Sequence, residues 1–556
     1  MTSGVVNYSG RSFFIQLVFL ASFILLLSRL IYIQVFQDDF IKKQLDSRIA
    51  LESHILSKRG KILDRNDRLL AVDVTGYTVI ADLSLFNPSS NQIKVLGSIF
   101  PITEEKIQRI LKKKGHVEIV RHISEEKKIE VESLNIQGLF FKRNLQRSYP
   151  QREVSSHVVG ITDIDRKGIQ GSELVFNKIL KGKDGEFIGF KSPIGAIGGE
   201  RKSPTQGVDL KLTIDVRLQS ISHHELKKAV EKYEAESGSI VIIDPKTAEI
   251  LSLSNYPTFN PSNRKGIQDL SVFRNRATVD VFEPGSVVKP IAMAAILKSK
   301  KVDMEARINT SPGWIEYEGY KTSDFRDYGN LTLSGIISHS SNVGMVKLCR
   351  DQQPENLLGV FSDFGIGAQP VNILIPSREG FLPQASAMSK RDKVSSCYGY
   401  GISMTAIQLA QAYQVFANEG VYKELNLFYD EALTSPKPDK KVLAESTVSL
   451  INSMLIEAVN SKSGTAKKAR IEGRVVAGKT GTAEKERNGQ TTYSASFAGF
   501  VPAKNPSLLA VIVLHGITND THSGGSVAAP IFSKVVGQSI HAVSYTHLTL
   551  PTNREV

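Results

Sequence analysis

Apolar residues run almost unbroken from Phe13 to Phe36, where the chain reads FFIQLVFLASFILLLSRLIYIQVF with Arg29 as its single charge. About 24 residues at 1.5 Å rise per residue span the hydrocarbon core of a bilayer. A secretory apolar region is shorter, roughly 7–15 residues, and ends at a small-residue cleavage site that this segment lacks. The pattern therefore predicts an uncleaved transmembrane helix over residues 13–36.

The charges that flank this span indicate its orientation. Arg11 precedes it, and Asp38 and Asp39 follow it. Because basic residues favour the cytoplasmic side, residues 1–12 are expected in the cytoplasm and the rest of the chain outside. The sequence thus predicts a single-pass protein with a large exported body.

Short apolar runs separated by turn residues fill residues 37–205, which we interpret as a non-catalytic module. A helix or an extended stalk is expected over 37–58. The patterns that follow predict strands at 62–63 and 78–81 and helices over 103–114 and 125–132.

Glycines and acidic residues are dense over 147–185, where Asp163 and Asp165 precede Gly168 and Gly171. Such a run suggests a calcium loop, but its spacing lacks the alternating ligands of an EF-hand. Tight turns are the favoured interpretation. A cluster of glycine and proline over 194–208 marks the next domain boundary.

Period-two and helical patterns alternate over residues 206–542. Paired apolar runs at 239–243 with 248–253, and at 495–501 with 508–514, predict two hairpins. Helical periodicity extends from an N-cap at Asp215 to about Glu236, and recurs at three later segments. These later segments are 287–298, 332–349 and 405–418. Hairpins on both sides of a helical middle predict an α+β domain with a central antiparallel sheet flanked by helices.

The last stretch of the chain, residues 543–556, breaks this pattern. Helical periodicity stops near Ile540 and a polar, Thr-rich run begins. We interpret residues 543–556 as a non-native tail and exclude them from the fold.

Composition narrows the function classes. At 556 residues, with 41% hydrophobic and 22% charged residues, the chain is long and apolar enough for two to four folded units. The net charge of +13 comes without a dense Lys/Arg block, which favours a solvated surface over a nucleic-acid interface. Two cysteines, Cys349 and Cys397, are too few for a cysteine-built metal site, and a disulfide and two buried thiols remain equal alternatives.

Ser286 and Lys289 form a candidate nucleophile and base at the start of an apolar helix, after Glu283–Gly285. Three residues apart on a helix, the two side chains share one face within hydrogen-bond reach. A neutral lysine accepts a serine proton, and burial beside a second cation supplies the lowered pKa that this needs. Two other Ser-x-x-Lys runs, interpreted as solvated charge, occur at Ser124–Lys127 and Ser262–Lys265.

A second element, Ser340-Ser341-Asn342, leads into the apolar helix 343–348. Three small hydrogen-bonding residues in a row are usually a helix cap or a turn. In a catalytic site, Ser340 would relay a proton and Asn342 would hold a substrate amide.

A third element, Lys479-Thr480-Gly481-Thr482, follows an apolar strand. On a strand, Lys479 and Gly481 point to one side and the threonines to the other. Gly481 lets a ligand backbone approach closely, and the threonine hydroxyls with the lysine charge suit a carboxylate. The alternative is an ordinary edge-strand turn.

Ser-x-x-Lys, Ser-x-Asn and Lys-Thr-Gly in this order resemble the motif set of penicillin-binding proteins and active-site serine β-lactamases. The resemblance extends from the anchor to about residue 540 and is to class B penicillin-binding proteins. It includes R-G-x-I-x-D-R-N at Arg59–Asn66 and the run from His157 to Glu173. The sequences at Asp280–Ser286 and Tyr398–Gly401 look like the division-specific branch.

The resemblance implies an anchor, an elongated pedestal and a transpeptidase domain. It implies that Ser286 attacks the penultimate D-Ala carbonyl of a stem pentapeptide and expels the terminal D-Ala. Lys289 would be the general base, and Ser340 would pass a proton to the leaving nitrogen. Val287 stands where the family often has threonine, a position expected to matter little.

Substrate binding is assigned by the same resemblance. Asn342 would bind the donor backbone, and Thr480 and Thr482 would bind the terminal or β-lactam carboxylate. Lys479 would keep Lys289 neutral and join the hydrogen-bond network of Ser340. The backbone N–H groups of Ser286 and Thr482 would form the oxyanion hole.

The resemblance further implies donor and acceptor stem peptides as substrates and β-lactams as covalent inhibitors, with no cofactor and no metal. Implied partners are division-complex membrane proteins, including a polytopic glycosyltransferase, and no nucleic acid. The protein would lie in the cytoplasmic membrane at the septum, with its catalytic domain periplasmic. Three alternatives stay open: an elongation-specific transpeptidase, a membrane-anchored β-lactamase, and a penicillin sensor or scaffold.

Overall fold

The computed structural model describes residues 9–33, 50–100, 102–192, 195–299, 303, 305–370, 375–429, 438–487 and 489–548. The chain forms two compact units. One comprises residues 1–58 with 182–207, and the other comprises residues 59–181 with 208–556.

The first unit contains the apolar N-terminal helix, Ser9–Ile31. Within it, Ser12–Ile31 has a mean hydropathy of 2.3 and is exposed along its length, so it is long and apolar enough to cross a membrane. Residues 34–36 of the predicted span lie outside the described residues, as does most of the predicted stalk. The unit also contains a three-stranded antiparallel sheet with strands Ala50–Ile55, Gly185–Ser192 and Gly195–Lys202.

The second unit begins with a sheet that carries the pedestal sequence. Its strands, in chain order, are Ile62–Leu63, Leu69–Asp82, His116–Ile123, Leu139–Ser148 and Leu210–Lys211. The helices of this part are Ser90–Ile99, Glu104–Leu111, Glu125–Glu132, Ser156–Val159, Gly171–Val175 and Asn177–Lys181. The two predicted helices and both predicted strands are confirmed, although the strand at 78–81 extends from Leu69 to Asp82.

Buried ion pairs hold this part together where the sequence shows the Arg59–Asn66 and His157–Glu173 runs. Arg59 Nε and Arg147 Nε donate to the two carboxylate oxygens of Glu173 at 2.5 and 2.6 Å. Arg147 also pairs with Asp73 at 3.2 Å, and Arg166 pairs with the second oxygen of Asp73 at 3.1 Å. Buried charges need partners, and these contacts supply them for Arg59 in the first run and for Arg166 and Glu173 in the second.

A five-stranded antiparallel sheet forms the centre of the remaining part. Its strands, in spatial order, are Ile250–Tyr256, Ser237–Ile243, Leu508–Ile517, Gln490–Val501 and Ala477–Arg487. Both predicted hairpins are confirmed. They pair with each other through the first and fourth of the predicted apolar runs, which form Ser237–Ile243 and Leu508–Ile517. The strand with Lys479 is an edge of this sheet.

Helices cover both faces of the sheet, as the α+β pattern predicts. They are Val216–Lys232, Arg276–Val279, Lys289–Lys298, Leu333–Ser338, Asn342–Cys349, Pro354–Asp363, Lys390–Ser396, Ala406–Ala417, Glu445–Asn460 and Ala528–Leu548. Three pairs of short strands in the described residues lie outside this sheet. Two of them are Arg307–Asn309 with Asn330–Thr332, and Trp314–Tyr317 with Tyr320–Ser323. Val421–Tyr422 pairs with Lys440–Lys441.

Two predicted helices differ in the structure. Asp215 caps the first helix by accepting from Arg217 N, as predicted, but the helix ends at Lys232 rather than near Glu236. The single helix predicted over 332–349 is broken into two, because Ser340 has a positive φ of 61° that no helix residue adopts. The break places Ser340 outside either helix.

The C-terminal helix, Ala528–Leu548, continues eight residues past the predicted end at Ile540. Its apolar face packs on the central sheet, where Phe532 contacts Phe497 with ring centroids 4.6 Å apart. Residues 549–556 of the tail interpreted as non-native lie outside the described residues. The helix therefore includes the first part of that tail.

Candidate active site

Ser286 lies in the 3-10 turn Gly285–Val288, which continues directly into the helix Lys289–Lys298. Val287 and Val288 are fully buried, while Ser286 is half-exposed. The buried Tyr413 donates its hydroxyl proton to Val287 O at 2.7 Å. The apolar helix and this hydrogen bond hold the turn in place, and they leave Ser286 partly exposed to solvent.

The segment Tyr398–Gly401 forms hydrogen bonds with the residues just before Ser286. Gly285 N donates to Gly399 O at 3.1 Å, and Gly401 N donates to Glu283 Oε1 at 2.9 Å. A Cβ at Gly399 would stand 2.1 Å from Gly285 O, and Gly399 has a φ of 93°. Glycine is therefore required here by both space and conformation.

Lys289 is fully buried, and its amine contacts the second motif. Nζ donates to Ser340 O at 2.6 Å and to Asn342 Oδ1 at 2.7 Å, with Ser340 Oγ at 3.4 Å. The hydrogen bonds of Nζ among the described residues all go to Ser340 and Asn342. The pairing of Ser286 with Lys289 as nucleophile and base stays a prediction.

Lys479 approaches Ser340 from the other side. It is fully buried on the edge strand, and its Nζ donates to Ser340 Oγ at 2.9 Å and to Thr480 O at 3.0 Å. Ser340 therefore lies between the two lysines, accepting from Lys479 with its hydroxyl and from Lys289 with its carbonyl.

Burial lowers the pKa of both lysines. The pKa of Lys289 falls well below 10.5, first because the amine is desolvated and second because Lys479 carries a like charge, while Asp324 acts in the opposite direction. Desolvation lowers the pKa of Lys479 to about 7. Burial thus favours the neutral form of both amines, and the charge of Lys479 adds to this effect at Lys289.

The strand of Lys479 lies directly on the nucleophile turn. A Cβ at Gly481 would stand 2.7 Å from Pro284 O and 3.0 Å from Val287 Cβ. A Cβ at Gly285 would stand 2.5 Å from Thr482 O. The backbones of Ser286 and Thr482 are thereby brought to adjacent positions.

The hydroxyls of the two threonines have different neighbours. Thr480 Oγ1 donates to Thr465 Oγ1 at 3.4 Å and accepts from Lys479 Nζ at 3.4 Å. Thr482 Oγ1 accepts from Gly524 N at 2.9 Å, in the segment that leads into the C-terminal helix.

Cys349 and Cys397 form a disulfide, which settles the alternative left open by the sequence. Cys349 ends the helix Asn342–Cys349, and Cys397 directly precedes the segment that clasps Gly285. The disulfide therefore ties the helix that follows Ser340 to the segment that holds the nucleophile turn.

The other two Ser-x-x-Lys runs have no such surroundings. Ser124 accepts from Lys127 N and caps the helix Glu125–Glu132. Ser262 and Lys265 are exposed. Both are surface features, as interpreted from the sequence. Across the described ranges, no group of three or more His, Cys, Asp or Glu is placed to hold a metal ion.

Two site residues carried no signal in the sequence. Tyr413 lies inside an apolar helical run, and nothing distinguishes it from core. Asp324 lies 16 residues before Ser340 in a polar loop, yet it accepts from Ser341 Oγ at 2.6 Å and from Asn342 N at 2.5 Å. Neither spacing nor periodicity predicts such a contact.

Two family models match most of the chain. The penicillin-binding protein transpeptidase domain matches residues 238–537, and the penicillin-binding protein dimerisation domain matches residues 54–212. The chain is 32% identical to the probable peptidoglycan D,D-transpeptidase PenA of Neisseria gonorrhoeae, over 96% of this chain and 93% of that protein. It is 32% identical to the peptidoglycan D,D-transpeptidase FtsI of Escherichia coli K12, over 92% and 88%.

Solved structures show the same architecture. The transpeptidase domain of Burkholderia pseudomallei penicillin-binding protein 3 has a TM-score of 0.54 and 32% identity, covering 62% of this chain and 98% of that one. A peptidoglycan synthetase from Bifidobacterium adolescentis shares the fold with a TM-score of 0.69 at 24% identity, covering 89% and 97%.

The fold, the three motifs around Ser340 and these relatives define a penicillin-binding transpeptidase. More narrowly, the chain belongs to the class B penicillin-binding proteins, the family of peptidoglycan D,D-transpeptidases.

Proposed function

We propose that the chain cross-links peptidoglycan stem peptides through a Ser286 acyl-enzyme and that penicillins acylate the same serine. The observation that carries the proposal is the placement of Ser340 between two fully buried lysines. One of them, Lys289, lies three residues after the partly exposed Ser286. Relatives named as peptidoglycan D,D-transpeptidases support the substrate class.

The hydrogen bonds of Lys289 suit a general base. A neutral amine has two protons to donate and one lone pair, whereas an ammonium has three protons and none. The two close acceptors, Ser340 O and Asn342 Oδ1, take both protons of the neutral form, and Ser340 Oγ lies farther away at 3.4 Å. The lone pair is left to accept the proton of Ser286.

Acylation then proceeds in balanced steps. Ser286 Oγ attacks the carbonyl carbon of the penultimate D-Ala, and its proton passes to Lys289. The C–N bond to the terminal D-Ala breaks, and Ser340 delivers a proton to the leaving nitrogen, which it replaces from Lys289 or Lys479. Developing charge on the carbonyl oxygen meets the backbone N–H groups of Ser286 and Thr482, each worth about 3 kcal/mol.

Substrate binding falls to the residues around this centre. Asn342 binds the donor backbone, and Thr480 and Thr482 bind the terminal carboxylate or that of a β-lactam. Gly481 allows the edge strand to lie against the nucleophile turn. An acceptor amine then attacks the acyl-enzyme, forms the cross-link and frees Ser286. Acyl transfer of this kind needs no metal or organic cofactor.

We further propose that the helix Ser12–Ile31 anchors the protein in the cytoplasmic membrane, with its N-terminus inside and its catalytic domain periplasmic. A role at the division septum is supported by the 32% identity to FtsI, which is spread over 92% of the chain. Division-complex membrane proteins, including a polytopic glycosyltransferase, are the proposed partners. Localisation of a fluorescent fusion decides this role, because a sidewall pattern would assign the protein to elongation.

The test of the nucleophile is labelling of the full chain with a fluorescent penicillin. Ser286→Ala is expected to abolish labelling while the protein folds and reaches the membrane. Ser262→Ala, in the exposed run with the same spacing, is the matched control and is expected to label like the wild type. Labelling that persists in Ser286→Ala would assign the wrong nucleophile.

Two other functions are separated by further measurements. A β-lactamase would release the labelled acyl group within seconds, whereas a transpeptidase retains it. A penicillin sensor or scaffold would label but would not cross-link stem peptides. Formation of a dimeric stem peptide by the wild type, and its absence in Ser286→Ala, is expected.

A further inference from the structure

We propose that Asp324 is a positioning residue of this active site, which holds the turn Ser340–Asn342 and, through it, the amine of Lys289. The proposal rests on the proposed function of Ser286 and Lys289 and extends it to a carboxylate outside the three motifs.

The carboxylate of Asp324 binds three consecutive residues of the turn and the helix that follows it. Oδ2 accepts from Ser341 Oγ at 2.6 Å. Oδ1 accepts from Asn342 N at 2.5 Å and from Val343 N at 3.0 Å. These N–H groups belong to the first turn of the helix Asn342–Cys349, where they have no partner within the helix. A negative charge is stabilising at this end.

The turn needs such support because its backbone is strained. Ser340 has a φ of 61°, a conformation that costs free energy for a residue with a side chain. Ser341 caps the helix by accepting from Gly344 N at 2.9 Å, and it can do so in this orientation because its own proton goes to Asp324. The carboxylate thus fixes the rotamer of Ser341 and the backbone of Asn342 together.

Both acceptors of the Lys289 amine lie on the residues that this support fixes. They are the carbonyl of Ser340 and the side chain of Asn342. The other end of the Asn342 amide is also held from the same loop, because Nδ2 donates to Ser323 O at 3.1 Å. Ser323 and Asp324 therefore clamp Asn342 in the orientation that presents Oδ1 to Lys289.

Asp324 is itself fixed by the hairpin that it terminates. Its N–H donates to Gly313 O at 2.8 Å, at the base of the strand pair Trp314–Tyr317 and Tyr320–Ser323. A Cβ at Gly313 would stand 2.9 Å from Asp327 N, so the base of the hairpin is tightly closed. The backbone of Asp324 is therefore fixed at the base of this hairpin.

The charge of Asp324 also acts on Lys289. Among the described residues, Lys479 and Asp324 are the charged groups that act on Lys289, and they act in opposite directions. Lys479 lowers the pKa of Lys289, and Asp324 raises it. Arg326 and Tyr328 are the ionisable neighbours of Asp324 on its own loop. Loss of the carboxylate therefore changes both the geometry and the protonation of Lys289.

The test is the second-order rate constant of acylation by a labelled penicillin, measured on the full chain in detergent from about pH 5 to pH 9. Asp324→Asn is expected to acylate at least about tenfold more slowly, because hydrogen bonds to a charged acceptor are lost. The midpoint of the acid limb is expected to move to lower pH, because the negative charge that favours protonated Lys289 is gone.

Asp327→Asn is the matched control. Asp327 lies three residues away on the same loop, is exposed, and accepts from Ser311 Oγ and Gly329 N instead of from the turn. It is expected to retain the wild-type rate and profile. A wild-type rate in Asp324→Asn, or a slower rate with an unmoved midpoint in a variant that melts like the wild type, would overturn the proposal.

If Asp324→Asn does not fold, Ser341→Ala tests whether Asp324 holds the turn. It removes one hydrogen bond from the carboxylate and retains the charge. We expect a several-fold loss of acylation rate with an unchanged midpoint, and a wild-type rate would overturn the clamp. These outcomes differ from failure of the proposed function, in which the wild type itself would not acylate at Ser286.

Discussion

The α-carbon of Gly481 lies against Val287, so closely that a Cβ at Gly481 would stand 3.0 Å from Val287 Cβ and 2.7 Å from Pro284 O. The edge strand and the nucleophile turn are thus in direct backbone contact. Gly481→Ala is expected to push them apart and to slow penicillin acylation by at least about tenfold, because misplacement of reacting groups by even 1 Å is costly.

Gly359→Ala is the control for this substitution, since a Cβ at Gly359 meets nothing within 4 Å. It is expected to acylate like the wild type. Near-ultraviolet circular dichroism verifies that both variants fold. A wild-type acylation rate in folded Gly481→Ala would show that the contact does not govern the site.

The acylation rate is expected to have a bell-shaped pH profile. The rate rises as Lys289 loses its proton, at a pH well below 10.5, because burial and Lys479 lower its pKa. It falls as Lys479 loses its proton, from near neutral pH upward, because burial lowers the pKa of Lys479 to about 7. Acylation rates measured across the pH range verify both limbs.

Lys479→Gln separates the two limbs. Loss of the neighbouring positive charge raises the pKa of Lys289, so the acid limb is expected to move to higher pH and the alkaline limb to disappear. Lys485→Gln, an exposed lysine on the same strand, is the control and keeps the wild-type profile. An unmoved acid limb in Lys479→Gln would contradict the coupling of the two lysines.

The sequence predicts the elements of this fold well where apolar runs are bounded by turn or cap residues. The strands of the first hairpin and the helices over 287–298 and 405–418 are such runs, and they are buried on nearly every side. The three small polar residues Ser340–Asn342 indicate a cap or turn, and Ser341 does cap the helix that follows. The positive φ of Ser340 does not follow from the pattern, because the surrounding apolar residues keep helical spacing through it. The hydrogen bonds that Asp324 accepts from this turn are also not predicted, because Asp324 is close only after folding.

The sequence likewise predicts only part of the candidate site. The ordered motifs identify Ser286, Lys289, Ser340 and Lys479, since their spacing is a property of the chain. The hydrogen-bond partners of the Lys289 amine do not follow from spacing, because Ser340 O and Asn342 Oδ1 come close to it only after folding. The pairing of Cys349 with Cys397 likewise depends on distance in space rather than on sequence.

Stability is expected to fall as the pH drops from about 6.5 to about 4. Burial, with a contribution from Arg276, lowers the pKa of His157 from 6.5 to about 4, although its hydrogen bond to Val272 O opposes this. In that window the unfolded chain binds a proton that the folded chain does not, so unfolding becomes easier by about 2 kcal/mol at pH 5 relative to pH 7.

Thermal melting at pH 7 and pH 5 measures this loss. His157→Gln, which can still donate to Val272 O, is expected to show a smaller decrease. His224→Gln, at an exposed histidine, is the control and keeps the wild-type decrease. Equal decreases in His157→Gln and the wild type would exclude His157 as the responsible group.

The disulfide between Cys349 and Cys397 is expected to stabilise the domain by about 4 kcal/mol, because the two cysteines are 48 residues apart and the bridge restricts the unfolded chain. A reductant is expected to lower the melting temperature of the wild type. The double variant Cys349→Ala, Cys397→Ala provides the control, because reductant leaves its melting temperature unchanged. Insensitivity of the wild type to complete reduction would refute this contribution.

The assignment of Ser286 as the acylated nucleophile of a transpeptidase is tested by locating the penicillin adduct itself. The full chain is acylated with a penicillin and digested, and the adduct is located by mass spectrometry at increasing times. One adduct is expected, on the peptide that contains Ser286, and it persists for minutes or longer. An adduct on another serine, or its loss within seconds, would exclude this assignment.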